Sequence, residues 1–306
     1  CYSLSRIKSV VSKSSPNLLM MAYGFCTGGG ETFPVELANL MKAEGYNVTY
    51  FDCAQEPRNQ GVRRKLRRDI PIVSDVPHLE RIVSDFGIDL IHSHHAWVDS
   101  TILDLLPEEG NFKTIVTLHG MYETINSVDL KFILPRLIKR SSRLIYVAEK
   151  NVSALTAHEW DDEKKLVRIE NALSVGEFEP VSRSDLGISE DAFVLVLISR
   201  AMEDKGWQEA VDIVSAARVQ SAKDIHLVLV GDGPEYDRLG ALQLPPFIHL
   251  EGFQGNVRGY FSCSDMGILP SKFRGESFPM VIIECLQAGR PIVASALGDI
   301  PYMLSG

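Results

Sequence analysis

Short apolar runs recur along the chain, each closed by glycine, proline or a polar cluster, and stretches with apolar residues three and four apart fall between them. Asn17–Tyr23 is one such run, closed by Gly24, and its length fits a buried strand. Phe33–Glu44 carries Val35, Leu37, Leu40 and Met41 at helical spacing and ends at Gly45; Val48–Phe51 resumes as strand. The alternation continues with a helix over Leu79–Phe86, a strand from Leu90–Ile91, a strand at Thr114–Leu118 and a basic amphipathic helix over Leu130–Arg140. Arg143–Val147 and Leu166–Ile169 read as further strands. Gly176 to Ser189 is polar, contains Pro180 and Gly187, and marks a change of domain. The β pattern then restarts at Ala192–Ile198 and continues through a helix at Trp207–Ala217 and strands at Ile225–Val230, Ile248–Glu251, Met266–Leu269 and Pro291–Ala294. Two successive runs of alternating strand and helix predict an α/β protein of two Rossmann-like, doubly wound domains, residues 1–169 and 170–306, facing across a cleft.

In such sheets ligands bind beyond the C-terminal ends of the strands, so the residues just past each strand are the candidates for chemistry. After the first strand stands Thr27-Gly28-Gly29-Gly30-Glu31, whose glycines let the backbone approach a ligand and free N–H groups at a helix start. It is not G-x-G-x-x-G, and Asp52 is the nearest acid to the second strand, which argues against a nicotinamide site. His92-Ser-His94-His95 and His119-Gly120 follow two further strands. Without Cys or carboxylate partners at metal-ligand spacing, these histidines read as cleft-facing or structural groups. In the second half, Arg200 and Lys205 lie on one strand-to-helix loop and can converge on an anion. Gly231-Asp232-Gly233-Pro234 is a βα turn with exposed backbone, and Gly252 to Gly255 follow the next strand.

Gly275–Glu284 combines two carboxylates, Glu276 and Glu284, with an apolar run opened by Pro279. A helix is expected to start near Phe278, with Glu276 and Ser277 as cap-type residues. Its N-terminus would offer an anion site. The competing reading is a capped, mostly buried helix with Glu284 on its wet side.

Composition narrows the function. The net charge of −9, with −3 over residues 1–182 and −6 over 183–306, argues against general nucleic-acid binding. Five scattered cysteines fit a reducing compartment and no zinc site. No apolar run approaches the roughly 20 residues of a membrane span. Cys1–Pro16 lacks a signal-peptide pattern, and a start at Cys1 reads as a piece of a longer chain. A dense basic run, Arg63, Arg64, Lys65, Arg67 and Arg68, suggests peripheral contact with an anionic membrane.

In order and spacing the motifs resemble those of the retaining, GT-B-fold glycosyltransferases of group 1, over about Leu18 to Leu304. Glu276 and Glu284 have the family's E-x7-E spacing, Ser199-Arg200 to Lys205-Gly206 is similar to G-R-x4-K-G, and Gly231–Glu235 to G-x-G-P. Thr27–Glu31 resembles the N-terminal G-G-x-E loop, Leu118-His119-Gly120 the cleft histidine, and Asn171 with Phe178 and Pro180 the opening of the second domain. Ser199 and Ala172 replace family glycines, and Ala148 a frequent serine. The resemblance implies a hexosyltransferase that moves a sugar from a nucleotide-diphosphate sugar to a glycan, lipid-linked or other hydroxyl acceptor. It implies no metal and no other cofactor, and a cytoplasmic enzyme, peripheral at the membrane face. By resemblance Glu276 and His119 are catalytic, and Arg200 and Lys205 hold the diphosphate with the helix start at Ser277, Phe278, Pro279 and Met280. Glu284 would bind the ribose, Gly231, Gly233, Gly252 and Phe253 line the nucleotide, and Gly28, Gly29, Gly30 and His94 face phosphate or acceptor. The family runs on for one more strand and several helices, so the second domain is expected to be incomplete at Gly306. An epimerase or phosphorylase of the same fold, or a non-catalytic nucleotide-sugar-binding domain, are the alternatives.

Overall fold

Most strand runs in the sequence are apolar on both faces, which suits parallel strands covered by helices on each side. The computed structural model describes residues 15–26, 28–54, 60–108, 110–156 and 163–305. They fall into two units: the described residues of Cys1–Cys26, Gly30–Tyr146 and Leu155–Arg168, and those of Thr27–Gly29, Val147–Ala154 and Ile169–Gly306. The segment Val147–Ala154 thus packs with the second unit although it follows a strand of the first. Periodicity gave no sign of that, because membership is a matter of which side chains it buries against.

The first unit runs β1 (Asn17–Ala22), α1 (Gly29–Ala43), β2 (Asn47–Asp52), α2 (Gln60–Lys65), β3 (Ile72–Val73), α3 (Leu79–Asp85), β4 (Leu90–Ser93), α4 (Ala96–Leu105), β5 (Lys113–Leu118), α5 (Ser127–Arg140) and β6 (Arg143–Tyr146). Helix α6 (Lys150–Thr156) and β7 (Leu166–Arg168) follow. The sheet is parallel with order β3-β2-β1-β4-β5-β6-β7. Leu19, Met21, Phe51 and Ile91 share one sheet face, covered by Leu79 and Val83 of α3 and Val98 and Ile102 of α4. Helix α4 escaped the periodicity reading because His95-Ala-Trp-Val continues the strand's apolar run without a breaker. The His95 ring caps it, accepting from the Trp97 N–H at 3.2 Å.

The second unit runs β8 (Phe193–Ile198), α7 (Trp207–Gln220), β9 (Ile225–Val230), α8 (Pro234–Gly240), β10 (Ile248–Gly252), α9 (Val257–Ser262), β11 (Met266–Leu269), α10 (Met280–Gln287), β12 (Ile292–Ala294) and α11 (Ile300–Met303). Its parallel sheet has the order β10-β9-β8-β11-β12. Period-two alternation divides the core. Leu195, Leu197, Leu227 and Leu229 pack on Trp207, Ala210, Val211 and Val214 of α7. Val194, Val196, Val228 and Val230 pack on the other face against Tyr260, Phe261 and Cys285.

Both sheets reverse direction at one place, between β1 and β4 in the first unit and between β8 and β11 in the second. At such a switch point the connections leave to opposite sides and a crevice opens beyond the strand ends. The loops after β1 and β4, and after β8 and β11, are therefore where this fold places ligands.

Candidate functional site

In the second unit, the loop after β8 carries Arg200 and, one short 3-10 turn later, Lys205. Gly206 closes that turn at φ +78, where a side chain would strike the Pro270 carbonyl, so the chain enters α7 tightly against the β11 loop. Trp207 is fully buried behind it and donates from Nε1 to Ser199 Oγ at 3.0 Å. Ser199, where the family has glycine, thus ties the start of the loop to α7.

That packing drives Lys205 inward, to 9% exposure, where its ammonium meets Glu276 Oε2 at 2.6 Å and lies 4.2 Å from the centre of the Phe273 ring. A buried ammonium and a buried carboxylate each cost several kcal/mol alone, so each requires the other. Arg200 is half-buried, and among the described residues its guanidinium makes no hydrogen bond or ion pair. One cation of this loop is therefore paired with a carboxylate in this structure and, among the described residues, the other is not.

The capping expectation for Glu276 and Ser277 is corrected by these contacts. Helix α10 starts at Met280 rather than near Phe278, Pro279 is its cap residue, and no side chain caps it. Glu276 is held instead by Lys205, and Ser277 Oγ accepts from Asn151 Nδ2 at 2.9 Å. The rest of the loop is fixed as firmly. Asn171 Nδ2 donates to the Phe278 carbonyl at 2.8 Å, the Asp299 N–H donates to the Ser277 carbonyl at 2.9 Å, and the Asp299 carboxylate accepts the Glu149 N–H at 3.2 Å. Asn151, almost fully buried, also accepts from the Ala148 N–H at 2.9 Å. Nothing in the linear pattern pointed to Asn151. Glu284 sits half-buried one turn into α10.

Gly231 has φ +145, and a Cβ there would lie 1.9 Å from the Ser199 carbonyl oxygen. Backbone crowding alone requires glycine at this turn. Gly233 precedes α8, and Gly252 ends β10 and accepts from the Gly231 N–H at 2.7 Å. Gly231, Gly233, Gly252 and Phe253 are thus gathered at the ends of β9 and β10, next to β8 in the sheet.

In the first unit the histidines cluster. Strands β4 and β5 pair with His92 opposite Ile115 and Ser93 opposite Val116, so the residues beyond their ends are neighbours. His94 Nδ1 lies 3.1 Å from His119 Nε2, the His92 and His94 rings are 4.1 Å apart between centres, and His92 Nε2 meets Thr117 Oγ1 at 2.8 Å. Phe33 of α1 stands edge-on to His119 at 5.4 Å. Burial holds all three uncharged, with the neighbouring imidazoles adding to it at His94 and His119: His92 is pushed down to about 4, His119 to about 3, and His94 well below its ordinary value. Beside them, the fully buried Asp99 carboxyl takes hydrogen bonds from Ser93 Oγ and, at 2.6 Å, from Tyr122 OH. Burial pushes Asp99 up to about 7. Among the described residues no cluster of three or more His, Cys, Asp or Glu side chains is arranged to hold a metal ion.

Gly28 and Gly29 lead into α1, which begins at Gly29 and carries Glu31 in its first turn. The basic run spans the end of α2 and the turn after it. Arg63, Arg64, Arg67 and Arg68 are exposed, Lys65 is half-buried, and Arg67 grips Asp69 with two 2.9 Å bonds. Among the described residues no helix is long and apolar enough to cross a membrane.

Comparison with known proteins places this architecture. The chain is 28% identical over 234 residues to N-acetyl-alpha-D-glucosaminyl L-malate synthase of Bacillus anthracis, covering 71% of this chain and 59% of that relative's length. It is 24% identical to a D-inositol 3-phosphate glycosyltransferase of Catenulispora acidiphila, over 96% of this chain and 80% of the relative. Among solved structures, the Anabaena protein HepE in complex with UDP-glucose has the same GT-B fold, with a TM-score of 0.76 at 17% identity over 95% of this chain and 83% of that one. Residues 27–176 match the Glycosyltransferase Family 4 profile and residues 192–306 the Glycosyl transferases group 1 profile. Two profiles on the two successive βα halves show a glycosyltransferase chain made of a Family 4 domain followed by a group 1 domain.

Proposed function

We propose that the protein transfers a sugar, with retention of its anomeric configuration, from a nucleoside-diphosphate sugar to a hydroxyl acceptor such as a glycan or lipid-linked saccharide. The observation that carries this reading is the charged edge of the second unit. Arg200, whose guanidinium has no partner among the described residues, stands on the same loop as Lys205, which pairs with Glu276 at the mouth of α10. Cleaving a glycosyl–diphosphate bond builds negative charge on the departing phosphate, and preplaced cations stabilise that charge without reorganising. Lys205 and Arg200 are assigned to the diphosphate, with the backbone at Ser277, Phe278 and Pro279. Glu276 is assigned to the sugar as the catalytic carboxylate, Glu284 to the ribose, and Gly231, Gly233, Gly252 and Phe253 to the nucleoside. His119 is the catalytic candidate of the first unit, with His94, Gly28, Gly29 and Gly30 on the acceptor or phosphate side. The relatives support a nucleotide-sugar donor, since HepE is described with UDP-glucose and with UDP.

Two cations on one loop supply the countercharge, so neither a divalent metal nor another cofactor enters this reading. The protein is placed in the cytoplasm, with Arg63, Arg64, Lys65, Arg67 and Arg68 touching an anionic membrane surface; Arg67 contributes least because Asp69 neutralises it. A thermal-shift panel of nucleoside diphosphates and their sugars, followed by transfer assays with EDTA present, tests the proposal. The expected result is stabilisation by one base series and an unchanged rate in EDTA, with the product retaining the donor's anomeric configuration by NMR. Epimerisation without acceptor, or no stabilisation by any nucleotide, overturns it.

A further inference from the structure

We infer that His94 is a positioning residue that fixes His119 as an uncharged imidazole with its proton on Nδ1, presenting an N–H donor to a substrate oxygen. The inference rests on the transferase reading for the identity of that oxygen, a sugar or acceptor hydroxyl. The tautomer itself follows from the geometry.

His94 Nδ1 and His119 Nε2 are 3.1 Å apart, so one of the two carries the shared proton and the other accepts it. Both rings are uncharged, because burial beside a third imidazole leaves no countercharge for a cation. Each ring then holds one proton. If His119 donated, the proton of His94 would sit on its Nε2, which is sealed from solvent and has no hydrogen-bond partner among the described residues. A buried N–H with no acceptor is rarer and costlier in folded proteins than an acceptor left bare. The favoured arrangement puts the His94 proton on Nδ1, donating to His119 Nε2.

That leaves Nδ1 of His119 protonated. His119 is half-buried, its Nδ1 is not among the sealed polar atoms, and Phe33 packs edge-on against the ring and restricts its rotation. The outward N–H is therefore a directed donor, matched to an oxygen lone pair and not to a cation. Such a group stabilises charge or fixes a hydroxyl, and it does not exchange a proton at neutral pH. The surroundings reinforce the arrangement. Ser93, adjacent to His94, and Tyr122, just past His119, both bond Asp99, so the two strand ends are tied together at a second point.

The test is long-range proton–nitrogen NMR of the full chain with labelled histidine, combined with kinetics. The expected spectrum shows His119 protonated on Nδ1 from pH 6 to 8. His94→Ala is expected to give a mixture of His119 tautomers. His94→Asn, whose carboxamide N–H occupies the place of the imidazole Nδ1–H, is expected to restore the single form. In transfer assays His94→Ala is expected to lower kcat about 10-fold, the size of one neutral hydrogen bond. Donor KM should stay within about twofold and His94→Asn should recover most of the rate. A wild-type His119 carrying its proton on Nε2, or equal behaviour of the two variants in the spectrum, overturns the inference. A protein that binds no nucleotide-sugar but shows the expected tautomers would instead overturn the transferase reading and leave this one standing.

Discussion

The two switch points of this protein use the same βα geometry for opposite electrostatics. At the β1/β4 edge, His94 is buried and His92 and His119 are half-buried; all three are uncharged, with His94 bonded to His119 and His92 to Thr117. At the β8/β11 edge, Lys205 and Glu276 are buried but fully charged, and each is tolerated only because of its partner. A buried titratable group has two ways to avoid an unpaired charge. It can shift its pKa until it is neutral, or it can pair. Histidine, with an ordinary pKa near neutrality, takes the first way cheaply. Lysine and glutamate, far from neutrality on opposite sides, take the second.

The comparison predicts different failures. The largest is expected from Lys205→Ala, which leaves Glu276 buried without a countercharge. Stability of the second unit should fall by about 3–5 kcal/mol. Urea unfolding followed by the buried Trp207 fluorescence reads this directly. Combining it with Glu276→Gln should recover a large part, and no recovery would mean that the pair's charge is not what holds the loop.

Acid should strike the first unit instead. A histidine whose pKa is lowered by folding contributes stability above its unfolded value of 6.5, and loses it as the pH falls towards its folded value. With His92 at about 4 and His119 at about 3, each costs the folded state about 2 kcal/mol on going from pH 7 to pH 5. Calorimetry at the two pH values, with hydrogen exchange of β4 and β5 assigning the weakened unit, checks this. Equal loss in both units would erase the distinction.

Asp99 works in the other direction. Its carboxyl is pushed up to about 7, so the folded state binds a proton that the unfolded chain releases above 3.8, and stability falls as the pH rises from 3.8 to 7. Acidification from pH 7 to 5 therefore returns about 2 kcal/mol through Asp99. Asp99→Asn should make the first unit more acid-sensitive by about that amount, measured as the change in the pH 7 to pH 5 difference. The smallest effect is expected at Asn151→Ala, which removes the Nδ2 bond to Ser277 beside Glu276. About 1 kcal/mol of stability should go, with a loss of nucleotide-sugar affinity measured by calorimetric titration. Ser277→Ala in the same background should add little if the two act as one contact.

Apart from the two-residue β3, which the sequence reading missed, strand positions were legible to within a residue or two because apolar runs bounded by glycine or proline have few other outcomes. Ile225–Val230 and Met266–Leu269 lie where the pattern put them. The helix before Glu284 was misread at its start because Glu276 and Ser277 are good cap residues in isolation, and only the fold brings Lys205 and Asn151 to claim them.

By itself the sequence determined two successive βα halves and the residue types that stand at each strand end, since those follow from local periodicity and from where a strand must stop. The tertiary structure decided which of these residues meet. It placed Lys205 on Glu276, 71 residues away, and His94 on His119, 25 residues away. It also assigned Val147–Ala154 to the second unit. Pairings of this kind depend on sheet order and on what is buried together, and burial sets whether a titratable group stays charged. A linear pattern carries neither quantity.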